Sequence, residues 1–224
     1  DHIEEYSDAN IDFHQALINL GGSQAIADAL RRLYTQQGGE IRYGTRITDF
    51  KQLPAARTYL FDTDPLQVAD IAGEALPTGY AGRLRKYNYG PGVFKLDLAL
   101  SAPIPWSDPA CATASTVHLG GTIDAIAAGE REAWEGRVPQ TPFVLVAQQS
   151  NFDRSRAPEG QHTGWAYIHV PHGSTEDASA VIIGQIERAA PGFRNTILAQ
   201  HAMSTRDYQA YNPNYFGGAV TGGA

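Results

Sequence analysis

The chain has 224 residues, 42% hydrophobic and 18% charged, with a formal net charge of -7 and a pI near 5.4. That length can bury a sizeable core in one large or two small domains, and that balance is ordinary for a soluble globular protein. The acidic charge, without a basic stripe, argues against a nucleic-acid partner, and no apolar run is long enough for a transmembrane segment.

Cys111 is the only cysteine, so no intrachain disulfide can form. This fits a reducing compartment, and a cytoplasmic location is expected. A lone cysteine reads as a small buried apolar group rather than a nucleophile. The chain begins at Asp1, has Met203 as its only methionine and ends on Thr221-Gly222-Gly223-Ala224. The expectation is a piece of a longer protein, or a chain lacking its ends.

In chain order, residues 1–20 are acidic at the front and apolar at the back, with a short helix over Ile11, Phe13, Leu17, Ile18 and Leu20. No function attaches to them. Gly21-Gly22 then opens a helix with Ser23 as its cap. Ile26, Leu30, Leu33 and Tyr34 share one apolar face of that helix. Gly38-Gly39 ends it, and Ile41–Ile47 reads as a strand or a bent strand pair. On these residues alone the stretch is a packed helix–strand unit without chemistry.

Thr58–Thr63 is rich in β-formers and reads as a short strand stopped by Asp64-Pro65. Gln67–Gly73 reads as a helix with Leu66, Val68 and Ile71 inward. From Tyr87 and Tyr89 the chain enters a cleanly alternating strand, Val93–Leu100, where Phe94, Leu96, Leu98 and Leu100 face a core while Lys95, Asp97 and Ala99 face the other way. Thr116–Leu119 is a strand, and Thr122 caps a helix over Ile123–Trp134. Phe143–Gln149 is the strongest buried strand, and Thr163–Val170 another. Ser174 with Asp177 resembles a capping box for a helix whose inward stripe is Val181, Ile182, Gln185, Ile186 and Ala189. Ile197–Met203 is the last strand, and the aromatic, glycine-rich tail from Tyr208 shows no regular period. Strands interleaved with helices at irregular spacing predict an α/β (α+β) fold with a mixed sheet.

The segment GGSQAIADAL…GGEIRYGTRITDF resembles an internal stretch of FAD-dependent oxidoreductases of the phytoene-dehydrogenase-like and flavin amine-oxidase-like group. The segments LFDTDPLQVADIAG, YGPGVFKLDLALSAPIPW, TVHLGGT, FVLVAQQSNFD, APEGQHTGWAYIHVP, IERAAPGF and YNPNYFGG follow in the order that group shows, so the resemblance spans about residues 21–224. It implies that 21–86 is a partial return segment, a remnant of the FAD-binding domain, and that 87–224 is a substrate-binding domain built on a mixed sheet with flanking helices. It implies FAD in the intact protein, a small hydrophobic or amine-like substrate, and hydride transfer from that substrate to the flavin. The G-x-G-x-x-G fingerprint and the group's C-terminal flavin segment are absent, so the resemblance is to a central fragment whose isolated chain is expected to be inactive and to bind little FAD. A non-catalytic ligand-binding or scaffold module is the alternative. A second copy of the chain, or the remainder of the same polypeptide, is left open as partner.

The resemblance puts Ile47 where backbone groups meet the adenine, with Gly21 and Gly22 at the cofactor end; Ile47 reads equally as a core residue. Lys95 is read as lining a cavity toward flavin or substrate, or as ion-paired at the surface with Asp97. Tyr87, Trp165 and His169 are further candidates for the substrate lining, the first two against a reading as ordinary core aromatics and His169 against one as a partner in core hydrogen bonds. His169-x-x-His172 lacks the companions and geometry of a metal site, so no metal is expected. No residue is assigned a catalytic role.

Overall fold

The computed structural model describes residues 23–223. Among the described residues seven α-helices and five strands follow one another: α1 (Ser23–Gln36), α2 (Pro65–Ala72), α3 (Tyr80–Leu84), β1 (Gly92–Leu100), α4 (Pro109–Thr113), β2 (Thr116–Leu119), α5 (Ile123–Trp134), β3 (Val144–Ala147), β4 (His162–Val170), α6 (Ser179–Ala189), β5 (Ile197–Met203) and α7 (Thr205–Tyr211). The class is α+β, as expected. The sheet runs β2-β3-β4-β1-β5, and every pairing in it is antiparallel, which corrects the expected mixed sheet. The segment between β1 and β4 enters the sheet as β2 and β3. Those two strands add successively beyond β4, so no parallel crossover is needed.

The alternation in β1 fixes which face is buried. Phe94, Leu96, Leu98 and Leu100 lie opposite Ile168, Ala166, Gly164 and His162 of β4. The three leucines and Phe94 are buried with Ala166, Ile168, Val170, Val144 and Val146. Ile182, Ile183 and Ile186 of α6, with Phe193 after it, close over this face. Each such side chain contributes roughly 1.5–3 kcal/mol by leaving water. The inward stripe of α6 therefore includes Ile183 in place of the expected Val181. The helix also starts later than expected. Ser174 Oγ accepts weakly from the Glu176 N–H, and Asp177 accepts from the Ser179 N–H, so the two residues hold the approach to α6 rather than capping it as a box.

Two expected strands do not form. Ile41–Ile47 is irregular: Gly44 sits at φ +65°, Arg42 turns back to Glu40, and Tyr43 is exposed. Thr58–Thr63 is also irregular, with Leu60 94% exposed. Tyr59 folds back locally, its hydroxyl donating to Pro54 O and accepting from Ala56 N–H. β-rich composition makes a strand only where another strand supplies the ladder, and among the described residues none flanks either stretch. The prediction that 41–47 would show an unpaired strand edge thus fails because there is no strand.

A helix forms over Ser23–Gln36 where one was expected, and Gly38 takes the left-handed conformation at its end (φ +86°). Ile26, Leu30, Leu33 and Tyr34 do share a side, but all four are exposed, so the helix is not packed through that face. Gly21, Gly22 and the helix expected before them lie outside the described residues. In α2 the deeply buried side is Ala69 and Ala72, with Leu66, Val68 and Ile71 only half-buried. Strand β3 is shorter than expected, Val144–Ala147, although the Gln148 N–H still donates to Ser115 O at 2.9 Å. The Gln148 side chain accepts from the Trp106 indole and donates to Cys111 O and Ala114 O. The tail has a helix the sequence reading missed, α7, capped by Ser204 and Asp207.

Candidate functional site

Period-two alternation that buries one side of β1 and β4 brings their other residues together on the opposite face. Lys95 lies beside Tyr167 and Asp97 beside Trp165, with His169 one pair further along beside Val93. On the far side of β1, Asp97 is opposite His201 and Lys95 opposite Met203. Three of the expected lining residues, Lys95, Trp165 and His169, are thus on one face of one sheet and partly exposed. They did not turn out to be core aromatics: the core is on the other side.

The groups on this face are coupled. Lys95 Nζ is 2.6 Å and 2.9 Å from the two carboxylate oxygens of Asp97, which realises the ion-paired reading of Lys95. The same ammonium lies 5.5 Å from the Trp165 ring centroid, within cation–π range. Trp165 stacks beside Tyr167 at 6.0 Å, and Tyr167 is tilted toward His169 at 6.0 Å. His169 Nδ1 is 2.6 Å from Glu130 Oε2 of α5. A carboxylate only accepts, so Nδ1 carries the hydrogen and Nε2 is left for another partner. Thr122 positions Glu130 indirectly, since its hydroxyl accepts from the Ala125 N–H and starts α5. On the other flank, burial and then the nearby Asp97 carboxylate push the Tyr208 phenol up to about 12, so it is a neutral donor at ordinary pH. The face is therefore a row of aromatic rings with one internally neutralised ion pair. It can bind a flat or apolar molecule and orient it by hydrogen bonds.

Tyr87 does not belong to this row. It precedes β1 and meets Tyr89 edge-on at 5.1 Å, and Tyr89 in turn packs on His172 and Phe216. The Tyr89 hydroxyl donates to buried Asp64 at 2.7 Å. Burial, reinforced by that carboxylate, raises its pKa. This cluster fastens the start of β1 to α2 and the tail, and it is structural. His169 and His172 likewise go separate ways, the second ring facing Gly90 O. Among the described residues no three His, Cys, Asp or Glu converge on a point where a metal could sit.

Ile47 is half-buried and lines a different cavity, of about 660 Å³, between the 45–63 segment, α2 and Asn212–Asn214. Tyr59, Phe61, Leu53 and Ile71 give it apolar walls. Such walls fit a flat ring of adenine size. They do not fit a diphosphate: Arg46 is the one cation in the lining, and the N-terminus of α2 is already closed by Asp64, which accepts from the Leu66 N–H. The lining therefore has room and apolar walls for a flat ring and no cradle for a diphosphate. Sequence reasoning missed Tyr59, Phe61 and Asn214 as companions of Ile47. Asn214 is 150 positions from Asp64, whose N–H it accepts, and no local pattern signals that.

No family model matches the chain, and no curated protein matches it. Among solved structures it is similar to an oxidoreductase from Methanosarcina mazei at 16% sequence identity and a TM-score of 0.47. The likeness covers 81% of this chain and 42% of the other, so it spans less than half of that protein's length. A likeness at this level assigns neither a family nor an activity.

Proposed function

We propose that the chain is the substrate-facing part of a flavin-dependent oxidoreductase, with the sheet face of Lys95, Trp165 and His169 receiving a small hydrophobic or amine-like substrate. The observation that carries this reading is the gathering of those three residues, far apart in sequence, on the open face of a sheet whose other face is the core. The order of the sequence segments similar to the phytoene-dehydrogenase-like group supports it as well. When bound, the flavin supplies the hydride acceptor. The residues of this chain hold and orient the substrate: Trp165 and Tyr167 by apolar contact, His169 through Nε2, with Glu130 fixing its ring. The adenine is assigned to the cavity at Ile47, and the pyrophosphate to groups other than those that line it.

The test is the visible spectrum of the protein purified from its complete reading frame, followed by titration with FAD. The expected result is bound flavin, released on denaturation, whose uptake is weakened by Ile47→Asp. A colourless protein that takes up no flavin would sink the redox reading. If such a protein still bound apolar ligands in a Trp165-dependent way, it would be a non-catalytic ligand-binding module instead.

A further inference from the structure

Two amide side chains in the lining of the Ile47 cavity, Gln67 and Asn214, are fixed in their sense. Asn214 Oδ1 accepts from the Asp64 backbone N–H at 3.0 Å. A backbone N–H only donates, so this bond decides which end of the Asn214 amide is oxygen. Gln67 Nε2 donates to the same oxygen at 2.6 Å, which decides the second amide in turn. These bonds leave over one donor, Asn214 Nδ2, and one acceptor, Gln67 Oε1. No described residue pairs with either atom. Both residues are only half-buried, and neither atom is among the buried unpaired ones, so both are reached by solvent.

The backbone on both sides of this pair is anchored. The Asn214 N–H donates to Asn212 Oδ1 at 3.0 Å. Gln67 lies in the first turn of α2, whose cap Asp64 accepts from the Leu66 N–H at 2.8 Å and from the Tyr89 hydroxyl at 2.7 Å. The Tyr59 wall of the cavity is tied through its hydroxyl to Pro54 O and the Ala56 N–H. Ring wall and amide pair are thus in place before a ligand arrives, which lowers the ordering cost of binding.

The chemistry of the lining selects among flat rings. It carries one cation, Arg46, and one anion, Asp62, both exposed, so no net charge favours an ion. The hydroxyls of Thr58 and Thr63 can turn to donate or accept and so select nothing. The two amides cannot turn without losing their bonds. A hydrocarbon ring strips water from both amide atoms and replaces it with nothing, and a ring with acceptors alone leaves Gln67 Oε1 unpaired. A ring with an amino group beside a ring nitrogen satisfies both, in the pattern by which carboxamide side chains read the N6 and N7 edge of adenine. We propose that Gln67 and Asn214 read the amino edge of the ring held in this cavity. Gln67 Oε1 accepts from the amino group, and Asn214 Nδ2 donates to the neighbouring ring nitrogen. The inference rests on the adenine assignment made above and adds the residues of this chain that choose that ring.

The experiment is an NMR titration of the whole chain with adenosine, with purine riboside, which lacks the amino group, and with 1-deazaadenosine and 7-deazaadenosine, which each lack one ring nitrogen near it. Adenosine is expected to bind about tenfold tighter than purine riboside, the worth of roughly one hydrogen bond. One of the two deaza compounds should weaken by a similar factor, and the side-chain NH2 signals of Asn214 should shift on adding adenosine. Gln67→Met keeps a helix-forming residue of similar length and leaves Asn214 its bond to the Asp64 N–H. It should erase the preference for adenosine over purine riboside. The nucleoside series on the unsubstituted chain tests the proposal without any variant. Equal affinity for adenosine and purine riboside, undiminished binding of both deaza compounds, or a preference that survives in Gln67→Met would each overturn the amide reader while leaving the cavity as a ring site. Failure of all four nucleosides to bind would overturn the reader and the adenine assignment together, and would leave the sheet face of Lys95, Trp165 and His169 untouched.

Discussion

Gly218 shows how narrowly single residues are constrained here. It sits at φ +78°, and a Cβ added to it would lie 2.5 Å from Thr205 Cβ and 2.6 Å from Thr205 Cα. Thr205 is itself buried, with its hydroxyl donating to Ser174 O, so it cannot give way. Gly218→Ala adds a left-handed alanine and an overpacked contact, and should cost about 2–4 kcal/mol in a denaturant titration. A loss within experimental error would show that the tail is not packed on the start of α7. Tyr208 makes a second residue-scale prediction. Its pKa rises from an ordinary value of about 10 to about 12 on folding. The folded state therefore binds the phenolic proton more tightly, so this contribution to stability is complete below about pH 10 and is lost as pH rises to about 12. Over that window the parent should lose more stability than Tyr208→Phe. Parallel curves for the two proteins would contradict the burial assigned to the phenol. Tyr89 contributes in the same direction and remains in both, so the difference between the curves isolates Tyr208.

At the scale of elements, caps decide which stretches become helices. The Ser204 hydroxyl and N–H both donate to Asp207 Oδ2, at 2.7 and 2.8 Å, and Ser204 Oγ accepts from the Asp207 N–H. Ser204→Ala should destabilise by about 1 kcal/mol. Its hydroxyl, more than any other group, holds the Asp207 carboxyl below the usual range. That part of the stability is present above the ordinary carboxylate pKa near ~3.9 and disappears as pH falls through the depressed folded value. Asp207→Asn should therefore flatten the acid limb of the stability curve, and an unchanged limb would argue against the box. Thr122→Ala, by the same reasoning, should cost about 1 kcal/mol and loosen Glu130 against His169. The His169 ring signals in NMR report that loosening directly. Both caps were readable in the sequence, since Thr122 precedes an apolar periodic run and Ser204-x-x-Asp207 has capping-box spacing. The first was recognised, and the second was obscured by the aromatic, glycine-rich residues that follow it.

For the whole molecule, one core holds the sheet to α6, and Phe193 is its largest fully buried side chain. Phe193→Ala should cost about 3–5 kcal/mol, enough to threaten a domain of ordinary stability. Calorimetry should show the sheet and α6 melting together in the parent. Separate transitions for β1 and α6 would mean that they do not share a core. The residues before β1 are organised differently, with an exposed apolar side on α1 and irregular backbone at 41–47 and 58–63.

What the sequence determined by itself is local and periodic. Alternation along 93–100 and 163–170 set which side chains are buried, because a strand has period two and one face must leave water. It thereby also set that Lys95, Trp165 and His169 point away from the core. Caps and left-handed glycines marked helix ends for the same reason, since their hydrogen bonds lie within a few residues of the chain. What only the tertiary structure decided is non-local. Whether 41–47 and 58–63 become strands depends on a partner strand, not on β propensity. The antiparallel order, the separation of Tyr87 from the Lys95 row and the pairing of Asp64 with Asn214 all arise between residues far apart in the chain. Such contacts form only when the whole core closes, and no short stretch of sequence encodes them.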